Sequence, residues 1–363
     1  MAVRSQRHFL GHHGRLLRRE CHLVITPPLP APVTPTTTAT PPTPRDLPVW
    51  QHALASLRAG VAVAVLCVLD SRGSSPGRQG FKMSVTATDL AGSIGGGIME
   101  HKFVEKARAL LRQPAAEPVV RHQIHRADAP ADRSGLICSG EQWLLVLPLH
   151  PADLPVVQRL DERLRNGAPG RLHLSAAGRL MLDEATDAGP HYTLALGPAW
   201  QYSERLGFRD HATIVGGGHV GLALSRTLAT LEFGLTVLDN RPDLNTHQLN
   251  PYAHHKRVVR YEDLAQEITA GPHQYVILMS FGYRTDLVAL RQLLTLPLPY
   301  LGVMGSASKI AELLATLRTE GVPADRLARV RAPIGLPIHS RTPEEIAISI
   351  AAELIRERNA PPA

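Results

Sequence analysis

The chain reads as an α/β protein in two parts, an N-terminal mixed α+β domain followed by a C-terminal Rossmann-like domain with a parallel sheet. Three observations predict this. From His211 onward, short apolar strands alternate with helical patterns, which implies a parallel sheet covered on both faces. The run Gly216-Gly217-Gly218-His219-Val220-Gly221 stands between the first of those strands and the first of those helices. Before residue 200, short strand-like runs are interspersed with helical patterns but show no regular βα rhythm.

Taken in order, Asp46 is placed to cap a helix over residues 47–59, which Gly60 ends. Residues 61–70 are apolar and β-branched and read as a buried strand. Residues 81–86 read as a second strand and 99–111 as an amphipathic helix. Strand-like runs follow at 119–125, 143–147, 171–174 and 192–196, with a helix at 155–165. In the second part, strands are predicted at 211–215, 235–239, 275–280 and 300–304. Helices are predicted at 219–232, 286–294, 307–320 and 343–357. The boundary is placed near residues 197–209, giving domains 46–200 and 201–363.

A length of 363 residues suits about two domains. Hydrophobic content of 44% with 20% charge excludes wholesale disorder. The longest apolar run, residues 61–69, falls short of the roughly 20 residues of a membrane-spanning helix, and no membrane partner is expected. A pI of 9.6 suggests nucleic acid until the charge is located. Residues 1–45 hold Arg4, Arg7, Arg15, Arg18, Arg19 and Arg45 against Glu20 alone, so they carry +5 of the chain's +7. The rest is nearly neutral and shows no basic stripe, so no nucleic-acid partner is expected.

Residues 26–44 include eight prolines and seven threonines and read as an extended linker, which sets residues 1–45 aside as a disordered tail. The Arg- and His-rich stretch before the linker lacks the apolar segment of a secretory signal. Cys21, Cys67 and Cys138 form neither a disulfide framework nor a CxxC site, which favours a reducing compartment and a cytoplasmic location. The 18 histidines include His254-His255 and His12-His13, but none has the spacing of a zinc site.

Three glycine-rich segments carry the chemistry. Gly216, Gly218 and Gly221 fit GxGxxG, and Asp239 ends the next strand 18 residues after Gly221. Glycines there permit a tight turn and close approach of a phosphate, and an acid at 239 can hydrogen-bond a ribose diol. The same residues also suit a turn that only packs, and no catalytic proton donor is recognisable nearby. In the first domain, residues 72–83 bring Ser74, Ser75, Arg78 and Lys82 into one glycine-rich connection. Gly95, Gly96 and Gly97, with Glu100 just beyond, form a second. Exposed backbone N–H groups beside these side chains suit a compact anion, and a pair of flexible hairpin loops is the plain alternative. Cys138 lies in a third loop, flanked by Ser and Gly, and is the thiol suited to soft-metal or sulfur chemistry; Cys67 lies in an apolar strand and reads as core.

These stretches, in this order, resemble the xanthine dehydrogenase accessory protein family (XdhC/CoxI). The resemblance also rests on Leu301-Gly302-Val303-Met304-Gly305-Ser306 with Lys309, on Ala332-Pro333-Ile334-Gly335-Leu336-Pro337-Ile338, and on Thr342-Pro343-Glu344-Glu345-Ile346-Ala347. It covers roughly residues 47–357. It implies a maturation factor, more a chaperone than an enzyme, that binds the molybdenum cofactor (molybdopterin). Such a factor holds the cofactor while a cysteine desulfurase-type sulfurase supplies a sulfido ligand, then delivers it to an apo molybdenum hydroxylase of the xanthine dehydrogenase type. The resemblance implies that the glycine loops and Lys82 meet the pterin phosphate and that Cys138 contacts molybdenum. The family's common Cys-Gly-Gly is Cys138-Ser139-Gly140 here, and His339 stands where glycine is common. The rival reading is an NAD(P)-dependent oxidoreductase built on the second domain; a homodimer is left open.

Overall fold

The structure, a computed structural model, describes residues 41–114, 116–124, 140–177, 180–185 and 189–360. Its first half holds α1 (Leu47–Arg58), β1 (Ala64–Arg72), β2 (Lys82–Val85), β3 (Leu90–Gly92), α2 (Gly97–Leu111), β4 (Val119–Ile124), β5 (Glu141–Pro148) and α3 (Leu154–Asn166). The five strands make one antiparallel sheet in the order β3-β2-β1-β5-β4. The long apolar run is explained by burial on both faces of β1. Val65, Cys67 and Leu69 pack toward α1 and α3, while Leu66 and Val68 pack toward Met99 and Phe103 of α2.

A second antiparallel sheet follows, from β6 (Arg171–Ser175), β7 (Leu180–Asp183), β8 (Tyr192–Ala195) and β9 (Gln201–Arg205), in the order β7-β6-β9-β8. Its Leu172, Leu174 and Tyr202 join the core that holds α1 and α3. β9 corrects the division at residue 200, because it pairs with β6 and β8. The first half therefore runs through Arg205.

The second half is a parallel sheet. Its elements are β10 (Asp210–Val215), α4 (His219–Ala229), β11 (Phe233–Asp239), α5 (Asn245–Gln248), β12 (His255–Val258), α6 (Leu264–Glu267) and β13 (Gln274–Leu278). They continue with α7 (Tyr283–Leu293), β14 (Tyr300–Val303), α8 (Ala307–Thr319), α9 (Ala324–Ala328), β15 (Val330–Arg331) and α10 (Pro343–Arg358). The strand order is β12-β11-β10-β13-β14-β15, with α4 and α10 on one face and α6, α7 and α8 on the other. The order reverses at β10, the place where Rossmann folds bind ligands. Thr342 caps α10 by accepting from the Glu345 N–H while the Glu345 carboxylate accepts from the Thr342 N–H, which gives that stretch a structural reason. His339 has φ +58°, a left-handed backbone that accounts for glycine being common at that position.

Asp46 precedes α1 but makes no side-chain cap. Its carboxylate instead accepts from Lys82 Nζ at 2.7 Å. Lys82, only 1% exposed, also reaches Glu204 Oε1 at 2.5 Å and the Gly80 carbonyl at 2.9 Å. Tyr202 donates to the other oxygen of Glu204 at 2.6 Å. One buried lysine thus ties the start of α1, β2 and β9 together. Burial would lower the Lys82 pKa, but the carboxylates of Asp46 and Glu204 overcome it and hold the amine protonated. Burial pushes Glu204 up to about 7 against the pull of Lys82.

That shift has a sign. Glu204 in the fold binds its proton more tightly than in the unfolded chain, where a glutamate titrates near ~4.3. Its contribution is therefore fully present at low pH and is lost as pH rises toward 7. Burial lowers His191 to about 3, which acts in the opposite direction. The clean readout is therefore a difference between variants. Glu204→Gln is expected to gain stability relative to wild type as pH rises from 5 to 7.5; a difference that stays constant across that range would refute the shift.

The expected tail, residues 1–45, extends too far. Arg45 pairs with Glu232 at 2.6 Å and lies over the Phe81 ring, and the Pro42 carbonyl meets His254 Nε2 at 2.7 Å. His254 Nδ1 accepts from the Leu235 N–H, so the proton is assigned to Nε2. Residues 42–46 therefore belong to the folded body.

Candidate functional site

The antiparallel pairing of the first sheet decides where its connections go. Cys67 pairs with Lys82, Met83 with Gly92, and Arg72 with Glu141. The end of β1, the start of β2, the end of β3 and the start of β5 therefore share one end of the sheet. Residues 73–81, residues 93–96 and Gly140 meet there. A Cβ on Gly77 would run into the Ile94 carbonyl, one on Gly95 into the Gly77 backbone, and one on Gly140 into the Ser74 carbonyl. Only glycine lets these backbones touch. The Gly77 carbonyl accepts from Ser75 Oγ at 2.9 Å and from Gln142 Nε2 at 2.8 Å, and Arg78 donates to the Gly73 carbonyl at 3.0 Å. The loops are braced against one another, unlike a pair of flexible hairpins.

The polar groups expected around this cluster divide into two sets. Ser74 and Arg78 are exposed beside it. Ser75 is buried and engaged with Gly77. Lys82 requires a correction: its ammonium is buried on Asp46 and Glu204 and faces no open loop. Glu100 requires another. Its Oε2 accepts from Ser93 Oγ at 2.6 Å and from the Ile94 and Gly96 N–H groups, each at 3.0 Å. The anion held by the turn leading to Gly97 is thus the chain's own carboxylate. Cys138, with the rest of residues 134–139, lies outside the described residues; Gly140 is the point at which that connection enters β5. Among the described residues, no group of three or more His, Cys, Asp or Glu could hold a metal ion.

Gly216, Gly218 and Gly221 lie elsewhere. The first half meets the second at Glu232 and His254, which precede β11 and β12. The glycine turn follows the far end of β10, roughly 17 Å along a six-residue strand. The candidate cofactor-binding residues of the two domains therefore lie in two separate clusters. At the turn, Gly216 has φ +122° and abuts the Met279 carbonyl, and Gly221 abuts the Gly216 carbonyl, so both are required by packing. Gly218 is different: its backbone is extended and a Cβ there would meet nothing within 4 Å.

Asp239, expected to meet a ribose, is fully engaged. Its Oδ1 accepts from the Arg241 N–H and Nε, each at 2.9 Å, and its Oδ2 from the Gly217 N–H at 2.7 Å and Arg241 Nη2 at 2.8 Å. Burial alone would raise this carboxyl, but the hydrogen bonds from Arg241 and Gly217 outweigh it and hold it below the usual range.

A family model described as the XdhC Rossmann domain matches residues 213–354, and one described as the XdhC and CoxI family matches residues 56–123. The chain belongs to the XdhC and CoxI family. The turn at residues 216–221 and, of the first cluster, residues 73–81 and 93–96 fall inside the matched stretches, while Gly140 lies outside them. Among relatives, the chain is 26% identical over 301 residues to the uncharacterized protein YqeB of Escherichia coli (strain K12), covering 82% of this chain and 44% of that protein. It is 27% identical over 157 residues to a Bacillus subtilis (strain 168) protein named as a probable xanthine dehydrogenase subunit, covering 43% of this chain and 46% of that one. The chain thus spans less than half the length of these two relatives. A crystal structure described as a xanthine dehydrogenase from Bacillus halodurans superposes with a TM-score of 0.63 at 22% identity, over 85% of this chain and 95% of that one, which shows a shared fold.

Sequence reasoning missed Gln142, which braces Gly77, and Arg241, which engages Asp239. The second left a signal, an arginine two residues beyond an acid at a strand end. Gly218 supplies a direct test of whether its turn is more than packing. Gly218→Ala is expected to change stability by less than about 0.5 kcal/mol, because nothing crowds the position, whereas Gly216→Ala should cost several times more. Equal losses in thermal melts would show that the fold requires both glycines.

Proposed function

We propose that this XdhC/CoxI-family chain is a maturation factor for a molybdenum hydroxylase of the xanthine dehydrogenase type. In this reading it binds the molybdenum cofactor at the loop end of the first sheet, accepts a sulfurase as partner, and passes the cofactor to the apo hydroxylase. One observation carries the proposal: three connections distant in sequence are packed together there through glycines that admit no side chain. The name of the Bacillus subtilis relative supports the choice of target enzyme.

The residues present fit a phosphate-bearing ligand at Ser74 and Arg78, an exposed hydroxyl and an exposed guanidinium at the rim of the cluster. They do not fit one at Lys82 or Glu100, whose charges are already used. When bound, the cofactor supplies a molybdenum centre with a terminal sulfido ligand. The part of this chain is to hold it. Arg78 would neutralise the phosphate, the glycine backbones would allow close approach, and Cys138, two residues before Gly140, would offer a soft thiolate to the metal.

The test is maturation of a co-expressed target hydroxylase. Arg78→Ala and Cys138→Ser should each lower its activation at least severalfold while leaving the factor folded, and the gap between wild type and Arg78→Ala in cofactor retention should narrow as salt is added. Full activation by both variants would overturn the assignment of this site.

A further inference from the structure

The second-domain cleft points to a ligand of its own. Asp239 stands at the end of β11, where a Rossmann fold offers a carboxylate to the diol of an adenine ribose. Two carboxylate oxygens present about four acceptor positions, and all four are taken, three by Arg241 and one by the Gly217 N–H. A free diol could be recognised there only by displacing Arg241.

The same contacts present the guanidinium outward. Nε and Nη2 are held by Asp239, and Nη1 makes no hydrogen bond among the described residues. The side chain is 36% exposed. It lies over the ring of Phe281, 4.8 Å from the centroid, and Phe281 is itself 63% exposed just beyond β13, the strand on the other side of β10. A fixed guanidinium beside an exposed aromatic face is suited to a phosphate monoester carried next to a flat base.

Two further observations point to a ligand. Gly218, between this clamp and the N-terminus of α4, leaves open space where a side chain would be tolerated by the fold. Two polar atoms beside the clamp lack partners among the described residues: Asn240 Oδ1 and the hydroxyl of Tyr261, whose residue is only 2% exposed. The Tyr261 hydroxyl has Asp239, Arg241 and Asp286 as charged neighbours and comes near the Asn240 N–H without a well-formed hydrogen bond. Orphaned polar atoms are uncommon in folded proteins. A base or ribose donor is the kind of group that Asn240 Oδ1 lacks.

We propose that this cleft binds a 2′-phosphorylated adenine dinucleotide, NADP(H) in preference to NAD(H). The pyrophosphate lies over Gly218 and the first turn of α4, and the 2′-phosphate meets the free edge of Arg241. The site is separate from the loop cluster of the first domain, so it stands or falls independently of molybdenum cofactor binding.

Calorimetric titration of the full chain with NADPH and with NADH tests the proposal. NADPH is expected to bind at least tenfold more tightly at low salt, and the ratio should shrink as ionic strength rises. Arg241→Gln should abolish the preference, while Arg241→Lys, which keeps the charge without the fork, should retain part of it. Gly218→Val should remove binding of both nucleotides. Thermal melts check that each variant is folded. Equal affinities, tighter binding of NADH, a preference that survives Arg241→Gln in a folded protein, or no binding of either nucleotide would each overturn the proposal.

Discussion

Lys82→Ala is expected to cost about 3–5 kcal/mol of folding stability, the usual penalty for removing one partner of a buried ion pair. Asp46 and Glu204 converge on this one ammonium, and Glu204 is almost as buried as the lysine. Without the cation, one carboxylate must be protonated or hydrated, and the joint between the two antiparallel sheets loosens. Lys82→Met separates charge from volume, because it fills much of the same space without the ammonium; it should lose nearly as much. Urea denaturation gives the answer as a shift in midpoint. A loss below about 1 kcal/mol for both variants would show that Lys82 is not the joint described above.

Gly77→Ala should be nearly as damaging, for a different reason. Its added methyl would overlap the Ile94 carbonyl and crowd the Gln142 amide, and a backbone oxygen cannot rotate away as a side chain can. The two loops must separate, at an expected cost of about 3 kcal/mol. Gly96→Ala is the informative control. Gly96 has φ +76° with ψ −176°, a region kept almost wholly to glycine, but open space around its missing Cβ, so that change carries only backbone strain of about 1–3 kcal/mol. If the loop cluster is the binding site, Gly77→Ala should also lose the cofactor in whatever fraction remains folded. Comparable melting temperatures for the two variants would contradict the close approach.

The strong periodic elements were legible from sequence because each is decided by its own residues. The alternation after His211 yielded β10, α4, β11, β13, α7, β14, α8 and α10 with small shifts in their ends. Strands that depend on partners were not legible. β3, β7, β12 and β15 are two to four residues long and lie at sheet edges, and β12 is exposed along its whole length. β9 was missed because its Gln201-Tyr202-Ser203-Glu204-Arg205 alternation hides a buried glutamate. Charged residues were the hardest to place. Asp46 looked like a cap and Lys82 like a loop cation, yet they bind each other across 36 residues of chain. Glu100 looked available and is enclosed by the glycine turn just before it. The glycine loops themselves were legible, since glycines at close backbone approaches leave a compositional trace. The meeting of residues 73–81, residues 93–96 and Gly140 at one end of the first sheet was not, because it depends on how the strands pair.

The most direct measurement is the molybdenum and pterin content, per mole of chain, of the wild-type protein purified from a host that makes the molybdenum cofactor, with Cys138→Ser prepared in parallel. A cofactor-holding maturation factor predicts molybdenum and pterin in equal amounts, approaching one per chain, and a clear loss of molybdenum in the serine variant with melting temperature unchanged. Wild-type protein that carries neither molybdenum nor pterin, from a host shown to supply both, would contradict it.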